Sequence, residues 1–331
     1  MKTLFQALAV IGALGAGSLG LSATPAQAQE KPVCSVWLAN GGYFMNVPMG
    51  AFMPDRAFVP GNDNPMHNIN LVNLPVNIGI IKCGDELMLY DSGWKQSDYH
   101  KMTNFQHFTP IGDELRALGF DPAAVKHVII GHAHWDHAGQ LSDLPNAKLY
   151  VQREELRAIE WALNYPNPHI SAVNNSPGGC FRSPACGYEP LTLEQVYGKV
   201  LHGQAVIVDG EMEVMPGVII HPAFRAHTAG SQLLEVPISN GKLVFGSDAY
   251  SSWEGIRDWM PANIQQTDTV QQFLAYEKCY KITGGYQNCV AAHEPLSYTD
   301  KYPLTKNSWT DSSGTHYAEV ALAPGERSRH P

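Results

Sequence analysis

The chain has few charged residues for its length, since only 16% of its 331 residues are Asp, Glu, Lys or Arg, while 44% are hydrophobic. This composition excludes collagen-like, coiled-coil and disordered proteins, which do not combine so large an apolar share with so few charges. Internal repeats, low-complexity blocks and linkers rich in Pro, Gly or Ser are also lacking. The net charge of −9 disfavours nucleic acid as a partner, because an acidic surface repels phosphate backbones.

Long apolar runs are absent after the first 28 residues, so no later segment is expected to cross a membrane. Lys2 precedes an apolar run over 4–21, and the small residues Ala26 and Ala28 flank Gln27 ahead of a polar stretch. This layout predicts a secretory signal peptide over 1–28, followed by one domain over 29–331 with a net charge of −10 (−9 − 1, for the loss of Lys2). An uncleaved membrane anchor is disfavoured by the four glycines of the run. The mature protein is expected in the periplasm or outside the cell.

The six cysteines include no Cys-x-x-Cys pair, which disfavours a zinc ribbon. An even number of cysteines in an exported protein favours disulfides, although six allow 15 connectivities. Two close pairs would pin short loops and leave the remaining two cysteines to each other. The pairing expected on this basis is Cys180–Cys186, Cys279–Cys289 and Cys34–Cys83.

Short apolar runs typical of buried strands lead directly, or through a short loop, to His or Asp. These runs are 87–90, 128–130, 218–220, 243–245 and 289–292. Helical periodicity occurs at 111–118, 153–163 and 267–280. Strands that alternate with helices predict an α/β fold, in which residues at several strand ends converge on one site.

The sharpest motif, between Gly131 and Gly139, reads His-x-His-x-Asp-His. In an extended loop, side chains two positions apart point the same way, so His132 and His134 can hold one metal ion. Asp136 and His137 could then serve a second ion. Imidazole and carboxylate groups in this density suit zinc and similar divalent ions.

One loop cannot complete two metal sites, so further ligands must come from other strand ends. His227, Asp248 and His293 each follow an apolar run, and an aspartate can bridge two cations with its two oxygens. Two metals about 3.5–4 Å apart can generate a nucleophile from water at neutral pH. The expected cofactors are therefore two divalent ions per chain, Zn²⁺ foremost, with no organic cofactor.

Together these motifs, over 34–296, resemble the metallo-β-lactamase superfamily, whose fold is a four-layer αββα sandwich with a dinuclear site at one edge. The resemblance implies that one metal is held by His132, His134 and His227, and the other by Asp136, His137 and His293. Asp248 would bridge the two ions. Asp91 would lie below the site and orient a ligand histidine, a role that metal-bound histidines require of a neighbour.

Within this superfamily, the sequence is similar to the N-acyl homoserine lactonases. The Asn-Leu-Pro-Val segment at 73–76, the turn at 90–93 and Tyr250, two positions after Asp248, match their pattern. The resemblance implies a hydrolase that opens lactone rings. Tyr250 would donate to the substrate carbonyl oxygen, and Asp136 would carry a proton to the leaving alkoxide.

Two departures from the lactonase pattern limit which properties the resemblance implies for this chain. Ser231 stands where the family has a second histidine after His227, and the segment 161–187 is longer than a compact lactonase needs. The acyl-chain preference is therefore not transferred. An organophosphate or aryl ester hydrolase, a β-lactam hydrolase, a glyoxalase II and a periplasmic zinc-binding protein remain alternatives, although β-lactam hydrolases lack the aspartate at position 248 and glyoxalase II acts in the cytosol.

Two further segments are open to interpretation. The aromatic and methionine residues over 43–53 fit either the core or an apolar wall beside the site, and the polar stretch 308–331 is expected to be a tail that covers little of the fold. The expected partner is a small lactone or ester substrate. A homodimer is compatible with the sequence, whereas nucleic acid and stable membrane insertion after signal cleavage are not expected.

Overall fold

The computed structural model describes residues 32–51, 57, 69–95, 105–164, 186–250, 252–262 and 268–331. The chain divides into the units Met1–Glu30 and Lys31–Pro331, and all described residues belong to the second. The expected signal peptide therefore lies outside the described residues, as does most of the expected insertion. No helix in the described ranges has both the length and the apolar character needed to cross a membrane.

The larger sheet contains the strands β1 to β7 together with β13 and β14. In chain order these are Cys34–Pro48, Leu71–Cys83, Glu86–Tyr90, Phe105–Gln106, Val125–Ile129, Lys148–Gln152 and Ala205–Val208, then β13 (Asn307–Thr310) and β14 (His316–Ala321). Their spatial order is β13-β14-β1-β2-β3-β5-β6-β7, with β4 paired to β1. The pairs β3–β5, β5–β6 and β6–β7 are parallel, so the carboxyl ends of these strands meet at one edge.

The smaller sheet has the order β12-β11-β10-β9-β8. Its strands are β8 (Met212–Met215), β9 (Val218–Pro222), β10 (Gln232–Ile238), β11 (Gly241–Phe245) and β12 (Cys289–Val290). The helices of the domain are α1 (Ile111–Ala117), α2 (Arg153–Leu163), α3 (Pro190–Leu201), α4 (Trp253–Arg257) and α5 (Thr269–Thr283). The strands and helices expected from the sequence are all present, with ends that shift by up to three residues.

Side chains that alternate along the strands create the layers. On β1, Trp37 and Ala39 pack in a core with residues of α1, α2 and α3, whereas Val36 and Leu38 face residues of the smaller sheet. A third core joins the outer face of the smaller sheet to α4 and α5. The resulting order of helices, sheet, sheet and helices confirms the αββα sandwich expected for the fold.

The expectation of a polar tail over 308–331 is wrong. This segment contains most of β13 and all of β14, and β14 pairs with β1 inside the larger sheet. Tyr317, Ala318, Val320 and Ala321 are buried. The polar residues around them hide a short strand, of which Tyr317 packs against the helix-side core and the other three pack in the core between the sheets.

Two of the three expected disulfides are confirmed. Cys34–Cys83 joins β1 to β2, and Cys279–Cys289 joins α5 to β12. Cys186 is also disulfide-bonded. Its expected partner Cys180 lies outside the described residues.

Candidate metal centre

Four loops at one edge of the two sheets bring the expected ligands together. The loop after β5 carries four of them, the loop between β9 and β10 carries one, and the residues after β11 and β12 carry one each. Their ligand atoms form three overlapping groups within 4.8 Å, namely His132–His134–His227, His132–His137–Asp248 and Asp136–His137–His293. We refer to these seven buried residues as the histidine–aspartate cluster.

The Asp248 carboxylate lies between the two expected metal sites. Its Oδ2 is 3.4 Å from Nε2 of His227 and 3.6 Å from Nε2 of His137. Its Oδ1 is 3.1 Å from Nε2 of His293. We call His132–His134–His227 the first triad and Asp136–His137–His293 the second. Oδ2 of Asp248 therefore faces a member of each triad, as a bridging carboxylate requires.

Several polar atoms of the cluster are buried without a hydrogen-bond partner in the described part of the chain. They include Nε2 of His132, Nε2 of His134 and Nδ1 of His227. Unpartnered buried polar atoms are costly, and a cation among them would supply the missing interaction. The donor set of five imidazoles and two carboxylates suits zinc and related ions, so the residues present fit a metal centre.

The pKa values of the histidines differ between the two expected metal sites. Burial lowers the pKa of His134 to about 3, aided by the neighbouring His227, so this imidazole is neutral and able to bind a metal. Burial also opposes charge on His293, but the carboxylates of Asp248 and Asp136 outweigh it and raise the pKa of His293 to about 10. The carboxylates around His293 therefore favour positive charge at this position.

Partners outside the cluster fix the orientation of its histidines. Asp91 lies 2.8 Å from Nδ1 of His137 through Oδ2 and accepts the backbone N–H of Gly131 through Oδ1 at 2.6 Å, as expected for a residue that orients a ligand. His293 donates from Nδ1 to the carbonyl oxygen of Pro75 at 2.8 Å. Both contacts leave Nε2 directed into the cluster.

Glu155, which sequence reasoning missed, ties two ligand-bearing loops together. Its carboxylate accepts the backbone N–H groups of Ala133 at 2.9 Å and Gly230 at 2.8 Å. The hydroxyls of Thr228, at 2.7 Å, and Tyr188, at 3.2 Å, donate to the same carboxylate. In the sequence Glu155 looks like an ordinary acidic residue in the first turn of a helix, so no local signal identifies it.

Tyr250 does not reach the cluster through a hydrogen bond in the described structure. Its side chain is fully buried in the core beside α5, and its hydroxyl donates to the carbonyl oxygen of Val244 at 3.2 Å. The ring packs against Gly246, where a Cβ atom would come within 1.9 Å of it. Its expected role toward a substrate requires the phenol to leave Val244, and that role stays a prediction.

An aromatic group lies directly beside the cluster. The Phe44 ring is 5.4 Å from the ring of His293 and 5.5 Å from that of Trp135, and Phe105 and Trp94 extend the group. Of the two interpretations of the segment 43–53, Phe44 therefore fits the wall beside the site. The wall is apolar, whereas the cluster is charged.

Comparison with known proteins agrees with this geometry. The sequence profile of the metallo-beta-lactamase superfamily matches residues 71–258. The chain is 26% identical over 232 residues to an N-acyl homoserine lactonase of Bacillus cereus (65% of this chain, 78% of the relative) and 54% identical over 201 residues to the N-acyl homoserine lactonase AttM of Rhizobium radiobacter (57% and 65%). In fold it is similar to AidC, a dizinc quorum-quenching lactonase solved with a product, with a TM-score of 0.56, 17% identity, and 89% and 96% of the two chains covered.

Proposed function

This chain belongs to the metallo-beta-lactamase superfamily as a metal-dependent hydrolase similar to the N-acyl homoserine lactonases, and we propose that it opens the lactone ring of N-acyl homoserine lactones with two divalent metal ions. The observation that carries the proposal is the position of Asp248 between two triads, each of which offers three ligand atoms. The apolar group around Phe44 supports it, because an acyl chain needs an apolar wall next to the reacting carbonyl.

Bound divalent ions would supply a Lewis acid and activate water at neutral pH. His132, His134 and His227 would hold one ion, and Asp136, His137 and His293 would hold the other, with Asp248 between them. Asp136 would also move a proton from the attacking water to the leaving alkoxide. Burial opposes charge on Asp136, but His137 and His293 outweigh it and hold its pKa well below the usual range, so this carboxylate is ionised.

Tyr250 is proposed to donate from its hydroxyl to the carbonyl oxygen as negative charge develops there. The supporting feature is its position at the end of the short turn that also carries Asp248. A Tyr250→Phe variant is expected to lower kcat with its metal content unchanged. If kcat per bound metal stays at the wild-type value while the melting temperature falls, the hydroxyl serves only the Val244 contact.

Export is proposed as well, because three features point the same way. The first 28 residues have the layout of a signal peptide, the even number of cysteines suits an oxidising compartment, and two disulfides join buried strands and a helix. Determination of the N-terminal residue of the protein recovered from its native host tests cleavage after Ala28. An intact Met1 would contradict this part of the proposal.

The decisive experiment measures metal content and hydrolysis on the same sample. Elemental analysis is expected to give two metal ions per chain, and a pH-indicator assay is expected to report ring opening of short- and long-chain homoserine lactones. His132→Ala should lower the metal content towards one ion per chain and abolish hydrolysis, whereas His202→Ala, at an exposed position, serves as the control. Two bound metals with hydrolysis of only a β-lactam, an aryl ester or a phosphotriester would replace the proposed substrate. Failure to hydrolyse any of these substrates would contradict the proposal that the protein is an enzyme.

A further inference from the structure

Ser247 has a backbone conformation that serine rarely adopts. Its φ of +48° lies in the left-handed region, where residues other than glycine pay a steric cost. The side chain is buried, and it occupies the space beside Gly131, where a Cβ atom would come within 2.1 Å of the Ser247 Cβ. A side chain at position 131 would therefore clash with Ser247, so the first position of the histidine motif requires glycine.

The Ser247 hydroxyl contacts the outer sides of two histidines of the cluster. Its Oγ lies 2.9 Å from Nδ1 of His137 and 3.3 Å from Nδ1 of His132. It also donates to Oδ2 of Asp91 at 2.9 Å. Two histidines from the loop after β5 and the aspartate that follows β3 therefore meet at one oxygen atom.

The hydrogens in this group can be assigned completely if both histidines bind metal through Nε2, the ring nitrogen that does not contact Ser247. Each Nδ1 then carries a hydrogen and acts as a donor. His137 donates to Asp91 and to Ser247, His132 donates to Ser247, and Ser247 donates its single hydrogen to Asp91. No donor is left facing another donor.

We propose that Ser247 is a positioning residue that links the two metal sites from outside the ligand set. His132 belongs to the first triad and His137 to the second, and the Ser247 hydroxyl joins both to the carboxylate of Asp91. The strained backbone of Ser247 is retained because this hydroxyl fixes the tautomer and the ring orientation of a ligand in each site. The inference rests on the proposed metal centre and is independent of the substrate.

The test compares Ser247→Ala and Ser247→Gly in the otherwise intact protein, with Zn²⁺ affinity measured by competition with a chromophoric chelator. Both variants lack the hydroxyl, and both are expected to bind zinc 10- to 100-fold more weakly at the two sites, the range typical for the loss of such an outer contact. The metal-free glycine variant should melt at a higher temperature than the alanine variant, because glycine relieves the strain at φ +48°.

Ser252→Ala is the matched control. The Ser252 hydroxyl accepts the backbone N–H of Gly255 at 3.1 Å and caps α4, so its loss should lower stability without a change in zinc affinity. Wild-type zinc affinity in both Ser247 variants, with two ions bound, would overturn the positioning role and leave the proposed function intact. Failure of the wild-type protein to bind two zinc ions would overturn both proposals.

Discussion

The side-chain amide of Asn77 donates to the carbonyl oxygen of Ala291 at 3.2 Å, two residues before His293. The same amide donates to Oγ of Ser297 at 3.0 Å, and its oxygen accepts from the Tyr298 hydroxyl at 2.8 Å. A single buried side chain on β2 therefore holds both sides of the segment that carries His293. The two sheets meet here, so the contact sets where one half of the candidate metal centre lies.

Asn77→Ala is expected to weaken the second metal site selectively. It removes hydrogen bonds on both sides of His293, and the loss of such buried partners costs about 1–3 kcal/mol of unfolding free energy. After mild chelation the variant should retain about one zinc ion per chain, in the triad of His132, His134 and His227. Elemental analysis checks this, with Asn146→Ala, which loses an exposed contact to Ala123, as the control. Equal loss of both ions would contradict the assignment.

Glu155→Gln is expected to destabilise both loops that Glu155 joins. An amide nitrogen cannot accept hydrogen bonds, so half of the donors that surround the carboxylate would lose their acceptor, at a cost of about 2–4 kcal/mol. Zinc affinity should fall with stability, because the two loops carry His132, His134 and His227. Chemical unfolding and chelator competition measure the two effects. The neighbouring Glu154→Gln, on the exposed side of α2, should change stability by less than about 1 kcal/mol.

Glu114→Gln is expected to flatten the dependence of stability on pH. Burial, with Asp311 and Asp113 nearby, raises the pKa of Glu114 well above 4.5, and its carboxyl has no hydrogen-bond partner in the described ranges. The folded state keeps this proton after the unfolded state has lost it. Between pH 4.5 and the folded pKa, the wild type therefore loses roughly 1.4 kcal/mol of stability per pH unit through this group.

The glutamine variant cannot titrate at this position, so its advantage over wild type should be larger at pH 8 than at pH 5. Urea unfolding at the two pH values measures the difference, and Glu160→Gln, at an exposed position on α2, is the control. The same difference between variant and wild type at both pH values would show that Glu114 is ionised in the fold.

Removal of the Cys279–Cys289 disulfide by replacing both residues with serine is expected to lower unfolding free energy by about 2–4 kcal/mol. The bond spans a sequence separation of 10, whereas Cys34–Cys83 spans 49, so removal of the latter should cost more. Unfolding midpoints under oxidising conditions compare the two variants with wild type. Unchanged midpoints would mean that buried packing alone holds α5 against β12.

The sequence was sufficient to predict the residues that converge at the candidate centre. The strand ends before Asp91, His132, Asp248 and His293 are visible as apolar runs that stop at polar residues, and an α/β fold places such ends together. Imidazole and carboxylate spacing within one loop then indicated metal binding. The pairing of Cys34 with Cys83 followed because the other cysteines lie closer to each other in the chain.

Two supporting residues, Ser247 and Glu155, could not be predicted, because their partners lie far away in sequence. Ser247 is 156 positions from Asp91, and Glu155 is 73 positions from Thr228, so no periodicity connects them. The strand at 316–321 was missed for another reason. Its buried glutamate, Glu319, interrupts the apolar run that identifies a strand buried on both faces, and the residues on either side are polar.

The pairing of β14 with β1 has a consequence for how the protein folds. Val36 lies opposite Ala321, so the first and the last long strands of the domain are neighbours although almost the whole chain separates them. Contacts of such long range form slowly, because the intervening chain must be closed into a loop first. The larger sheet therefore cannot be completed until the chain has been synthesised as far as β14, which makes its assembly a late step in folding.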